Sequence, residues 1–99
     1  MVDRGLFVRL EAKPGKEDIL NEFLQSGFNM AKEDASIKVW FVLRFGPTTF
    51  GVFDAFETEE ARQEHLAGAI VSALMDHVDE LLAETPIIEH VAIQSTKLP

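Results

Sequence analysis

The chain lacks cysteine and tyrosine, is poor in basic residues and has no long apolar run. Without cysteine there is no disulfide framework, thiol nucleophile or thiolate metal site, a composition that fits a reducing compartment. Only 9 Lys and Arg stand against 17 Asp and Glu, giving a formal net charge of -8. Nucleic acid or an anionic membrane surface would require clustered positive charge, so neither is an expected partner. No apolar stretch approaches the ~20 residues of a membrane span, and Met1-Val2-Asp3-Arg4 does not follow the charged-then-apolar plan of a signal peptide. The expected location is cytoplasmic. There is also no Gly-rich phosphate loop and no G-x-S-x-G elbow, and no two of His65, His77 and His90 have the i, i+4 spacing of a helical metal clamp. No cofactor or metal is expected from the motifs.

What is present fits one compact domain spanning residues 1–99, long enough to bury somewhat over ~60% of its unfolded-chain surface. Leu6, Val8, Leu10 and Ala12 alternate with Phe7, Arg9 and Glu11, which predicts a half-buried strand over about residues 5–13 that stops at Lys13-Pro14-Gly15. Ile19, Leu20, Phe23, Leu24, Gly27, Met30 and Ala31 then recur at helical spacing and predict a first helix packed on the sheet. Gly27 costs roughly 1 kcal/mol against Ala in a helix, so either its small size admits a neighbour or the helix bends there. Thr58 is placed to cap a second helix, with Glu59 and Glu60 in its first turn. That helix is expected to divide near Gly68 and to close by Pro86. Ile87 to Gln94 alternate as a last strand. The order strand, helix, strand, strand, helix, strand is the split βαβ: an α+β, ferredoxin-like fold with a four-stranded antiparallel sheet and helices on one face.

The central hairpin, Val39 to Phe45, a Gly46-Pro47-Thr48 turn, then Thr49 to Phe56, is apolar on both faces. Val39, Phe41, Leu43 and Phe45 share one side, and Trp40, Val42 and Arg44 the other. Pairing Phe45 with Thr49 sets Trp40 opposite Asp54, Phe41 opposite Phe53, Val42 opposite Val52 and Leu43 opposite Gly51. Two apolar faces are more than the helices of 99 residues can cover, and an apolar edge strand invites pairing. The expectation is a homodimer with sheets face to face, burying Trp40, Val42, Phe50, Val52 and Phe56 at the contact.

Phe7, Phe41, Phe53 and Phe56 suit either an ordinary core or a pocket for a small apolar or aromatic molecule. Arg44 and Asp54 sit at inward strand positions, where each can pair with the other, with a partner subunit, or with a ligand carboxylate or phenolate. His65, spaced four residues from both Ala61 and Ala69, falls on the helix face that meets the sheet. It suits either a general base or a hydrogen-bonded core histidine. His77, among Asp76, Asp79 and Glu80, is expected to be exposed, and His90 to lie near a dimer edge.

Three segments together resemble the antibiotic biosynthesis monooxygenase (ABM) domain family, which includes quinol monooxygenases: Leu6 to Asp18, Trp40 to Phe56, and Glu60-Ala61-Arg62-Gln63-Glu64-His65-Leu66. The resemblance implies a dimeric α+β barrel with a pocket between the sheet and helices of each subunit. It also implies cofactor-independent oxygenation of a quinol-like or other small aromatic compound. His65 matches the histidine typical of the second helix in these domains, and Trp40 with the strand Phe50 to Phe56 matches the pocket or interface aromatics. Members acting on polycyclic aromatics use tyrosine and asparagine in the pocket. Here there is no tyrosine, and Asn21 and Asn29 fall on the first helix. Haem-degrading relatives want an asparagine, a tryptophan and a histidine where this chain has Leu10 or Glu11, Phe56 and Met75, which disfavours haem degradation. The expected enzyme uses His65 as base or donor, with Trp40, Phe41, Phe53 and Phe56 shaping the cavity and Arg44 and Asp54 contacting substrate. The alternatives are a non-catalytic dimeric binding module and an isomerase or lyase acting on a small carbonyl compound.

Overall fold

A computed structural model describes residues 1–99. Its elements are β1 (Arg4–Glu11), α1 (Glu17–Ala31), β2 (Val39–Arg44), β3 (Thr49–Phe56), α2 (Glu59–Leu66), α3 (Ala69–Leu81) and β4 (Ile88–Ala92). The four strands form one antiparallel sheet in the order β2-β3-β1-β4. This is the ferredoxin-like arrangement that the element order implies, with β2 at an edge. The hairpin register also follows the alternation: Trp40 faces Asp54, Phe41 faces Phe53, Val42 faces Val52 and Leu43 faces Gly51.

The register between β1 and β3 decides which face the helices cover. Leu6 pairs with Asp54, Val8 with Val52 and Leu10 with Phe50, so these six side chains share one side. Leu20 and Leu24 of α1 and Leu74 and Leu81 of α3 close over Leu10, Phe50 and Val52, with Trp40 and Val42 packed at the margin. Each large side chain so buried contributes roughly 1.5 to 3 kcal/mol. The expected dimer contact through Trp40, Val42, Phe50, Val52 and Phe56 is therefore corrected, because Phe50, Val52 and Phe56 are already buried beneath the subunit's own helices. The uncovered face carries the other parity. Phe41 is 48% exposed, Phe45 50% and Leu43 36%.

That open face is tightly set. Phe7 and Phe45 meet edge to face with centroids 6.4 Å apart, and the Arg9 guanidinium lies 4.4 Å from the centre of the Phe45 ring. Gly51 leaves room for both rings: a Cβ would come within 2.9 Å of the Phe45 ring and 3.3 Å of the Phe7 ring, so the Phe45 ring would have to shift.

The second helical segment breaks where expected. Gly68, in extended conformation, caps α3. A Cβ at Gly68 would meet the Glu64 carbonyl oxygen at 3.1 Å and the His65 carbonyl oxygen at 3.3 Å. The break leaves α2 a short helix with no fully buried residue and with His65 in its last turn. Its start matches the sequence reading, the Ala61 amide donating to Thr58 Oγ1 at 3.1 Å. α3 ends at Leu81, earlier than Pro86 suggests, because Leu82 turns extended and bridges to Ala12 while the Ala83 amide donates to the Glu11 carbonyl.

At the start of α2, Arg62 and Gln63 hold the Glu59 carboxylate, with Arg62 Nε at 2.9 Å and Gln63 Nε2 at 3.0 Å. The Arg62 bond, followed by that of Gln63, lowers the Glu59 pKa from its ordinary 4.5 to about 2. A folded-state value below the unfolded one means the contribution is present above the ordinary value and is lost as pH falls toward about 2. Glu59→Gln is expected to flatten the fall in melting temperature between pH 5 and pH 2, since a neutral amide does not titrate. A slope identical to that of the parent protein contradicts this assignment.

Candidate functional site

A cavity of about 110 Å3 opens between the sheet and the helices, lined by 18 residues of which 14 are hydrophobic. Its floor comes from alternate positions of β1 and β3, its roof from Phe23, Gly27 and Met30 of α1 and from Ile70 and Leu74 of α3. A Cβ at Gly27 would meet only Ile70, at an ordinary contact distance of 3.9 Å, so no close neighbour requires the glycine.

Four side chains with polar atoms line this otherwise apolar space, Ser26, Trp40, Asp54 and His65, and the last three lie together. His65 Nε2 stands 3.3 Å from Asp54 Oδ2, and both side chains are buried. The imidazole is fixed from two further sides, by Trp40 in an edge-to-face contact with centroids 5.7 Å apart and by Phe56 tilted at 5.4 Å. Burial pushes the Asp54 carboxyl above its usual range, and the hydrogen bond and charge of His65 offset only part of that. Two buried polar atoms have no partner at all: Asp54 Oδ1 and Trp40 Nε1. An unpaired buried donor or acceptor is costly, roughly 1 to 3 kcal/mol, and is uncommon in native structures.

The other expected site residues separate. Phe56 is fully buried behind His65 and supports it without lining the cavity. Phe41 and Phe53 lie on the opposite side of the sheet, so their expected role in shaping the cavity is corrected by the strand register. Arg44 does not reach Asp54. It donates to the carbonyls of Gly46 and Pro47 at 3.1 and 2.9 Å and covers the Phe50 ring at 4.7 Å, which makes it a clamp on the hairpin turn. His77 is half-buried, stacked on Phe23 with its Nδ1 2.8 Å from the Ala73 carbonyl, so the expectation of an exposed side chain is also corrected. His90 is exposed on the edge strand β4.

Residues such as Ile70, Val71 and Ile88 complete the cavity, and periodicity alone marks them only as core. The signal that singles out the site is the coincidence of Asp54 and His65 on facing apolar surfaces. No group of three or more His, Asp or Glu side chains is arranged to hold a metal ion, and no helix is long and apolar enough to cross a membrane.

A sheet of this order under helices, with a cavity between the layers, is the ABM-like fold. The chain superposes with a TM-score of 0.82 and 17% identity on a protein named "putative antibiotic biosynthesis monooxygenase" from Nitrosomonas europaea, covering 93% of this chain and 90% of that one. A protein of the same name from Caulobacter crescentus matches at 0.81 and 15%, over 95% and 92% of the two chains. Much nearer is the NE2512 protein of unknown function from Nitrosomonas europaea, with 50% identity and a TM-score of 0.94 over 100% of this chain and 96% of that one. The chain belongs to the family of that protein. No protein-family model and no curated protein matches the sequence.

Proposed function

We propose that the protein is a monooxygenase that acts on a small quinol-like or aromatic compound with molecular oxygen and no bound cofactor, working as a homodimer. The observation that carries this reading is the His65–Asp54 pair buried at the floor of an otherwise apolar cavity. An electron-rich ring reacts with oxygen after losing a hydroxyl proton, and a buried carboxylate–histidine pair is suited to take that proton where water does not compete. With Nε2 committed to Asp54, Nδ1 is the imidazole nitrogen left to exchange a proton with a ligand. The stoichiometry closes without a reductant. A quinol and O2 give a hydroxylated quinone and water; the O–O bond breaks, one oxygen bonds to a ring carbon and the other leaves as water, and the ring supplies all four electrons.

Oxygen uptake with a panel of single-ring quinols tests this reading directly. Uptake above autoxidation is expected, with His65→Ala reducing it by roughly 10² to 10⁴-fold, the usual contribution of a positioned acid or base. Rates equal to autoxidation for both proteins end the oxygenase reading. Turnover that persists without oxygen favours an isomerase or lyase, and saturable binding without turnover favours a binding module.

A further inference from the structure

We propose that Trp40 Nε1 and Asp54 Oδ1 form a two-point hydrogen-bonding site that selects a single-ring ligand bearing a hydroxyl group, a phenol or enol, over the corresponding carbonyl, ether or hydrocarbon. The inference rests on the oxygenase reading for its biological use, while its own basis is a pairing of unsatisfied atoms. Asp54 is 4% exposed, yet Oδ1 accepts no hydrogen bond, and the indole N–H of Trp40 is buried with nothing to donate to. The two residues are direct cross-strand partners, and both line the same cavity. One group is a donor only and the other, when ionised, an acceptor only. A hydroxyl satisfies both at once, donating its proton to Asp54 Oδ1 and accepting from Trp40 Nε1.

Neither a carbonyl nor an ether does so. A quinone or ketone carbonyl accepts from Trp40 but leaves Asp54 Oδ1 bare, and an ether does the same. A hydrocarbon leaves both atoms bare. Sites built around a hydroxyl reject analogues lacking it because their own buried groups then stay unpaired. Size sets the rest of the preference. A cavity of about 110 Å3 is comparable with the ~150 Å3 apolar cavity that takes up benzene, which suits one ring and not a fused system. For an oxygenase the consequence is directional: the quinol holds both contacts, and the quinone product loses one and leaves.

The protein carries its own reporter, because Trp40 is the only tryptophan and a 15N-labelled sample therefore shows a single indole N–H resonance. Phenol, anisole and toluene are titrated in turn. Phenol is expected to bind about 10 to 100-fold more tightly than toluene or anisole and to move the indole proton downfield, as a new hydrogen bond requires. Toluene is expected to perturb the cavity methyl resonances while producing no such downfield shift. In Trp40→Phe, calorimetry is expected to show phenol binding weakened about tenfold with toluene unchanged.

Equal affinities for the three probes overturn the proposal, as does an indole resonance that stays fixed through the phenol titration or no saturation by phenol at millimolar concentration. An indole shift caused by Asp54→Asn in the free protein also overturns it, since the two atoms would then already satisfy each other. The wild-type titration decides the matter even where Trp40→Phe fails to fold. Phenol selectivity without quinol-dependent oxygen uptake leaves the site standing and removes the oxygenase; uptake without selectivity does the reverse.

Discussion

Asp54→Asn is expected to raise the melting temperature at neutral pH while abolishing most turnover. The carboxylate is buried, carries an oxygen without a partner, and has its pKa pushed above the usual range by burial despite the neighbouring His65. A folded-state value above the unfolded one means that the native state holds its proton more tightly. Stability is then fully present at pH values below the ordinary value of 3.8 and declines as pH rises through the folded value. At neutral pH the cost is at its largest, and asparagine removes it while keeping the shape and an acceptor for His65. The gain is on the order of 1 kcal/mol, which for a chain of this length corresponds to ~4–8 °C. The same substitution takes away the negative charge that stabilises the imidazolium formed when His65 accepts a proton, so turnover with quinols is expected to fall by roughly 10² to 10⁴-fold. Thermal melts at pH 4 and pH 7 beside oxygen-uptake rates provide the check. A variant that melts lower at pH 7 and turns over normally shows Asp54 to be an ordinary structural carboxylate.

The second large effect concerns the uncovered side of the sheet. Phe41→Asp is expected to convert a dimer into monomers with unchanged far-UV circular dichroism. Phe41, Leu43 and Phe45 stand exposed together, and the Phe41 ring covers no part of the subunit's own core. In a symmetric dimer each substitution acts twice, removing roughly 3 to 6 kcal/mol of apolar burial per pair and weakening association by ~10² to 10⁴-fold. Sedimentation velocity of the two proteins across micromolar concentrations measures this. Parent protein sedimenting as an 11.1 kDa species throughout the range removes the dimer. The oxygenase reading would then have to stand on the cavity of one subunit.

The residues differ in how much they disclose without coordinates. Alternation in Leu6 to Ala12 and the capping Thr58 specify local geometry through backbone physics, and both elements form accordingly. Gly68 marks its break, where a Cβ would press tightly on the Glu64 and His65 carbonyls. The face that meets the helices is different in kind. Trp40, Val42 and Val52 are as apolar as Phe41, Leu43 and Phe53, so hydrophobicity cannot choose between the two parities. The choice is made by pairing to β1, where Leu10 meets Phe50 and Val8 meets Val52. That is a long-range fact, and only the register to β1 separates Phe41 and Phe53 from the residues that face the helices. His65 and Asp54 were each visible as polar residues at inward positions. Their meeting is hidden by the 10 positions between them and by the turn into α2. The aromatic contacts of Trp40 and Phe56 to His65 depend on ring orientation, which spacing does not encode.

The short helix that carries His65 has a thermodynamic consequence. A segment in which no residue is wholly buried, backbone included, opens at low free-energy cost, whereas the β1–β3 ladder comes apart only with the whole molecule. Backbone deuteration should therefore sweep through residues 59–66 long before it reaches Leu10 or Val52, and a ligand gripped at the imidazole should slow that early phase more than any other. Occupancy would thus be recorded in the labelling rates of the least anchored turn of the chain.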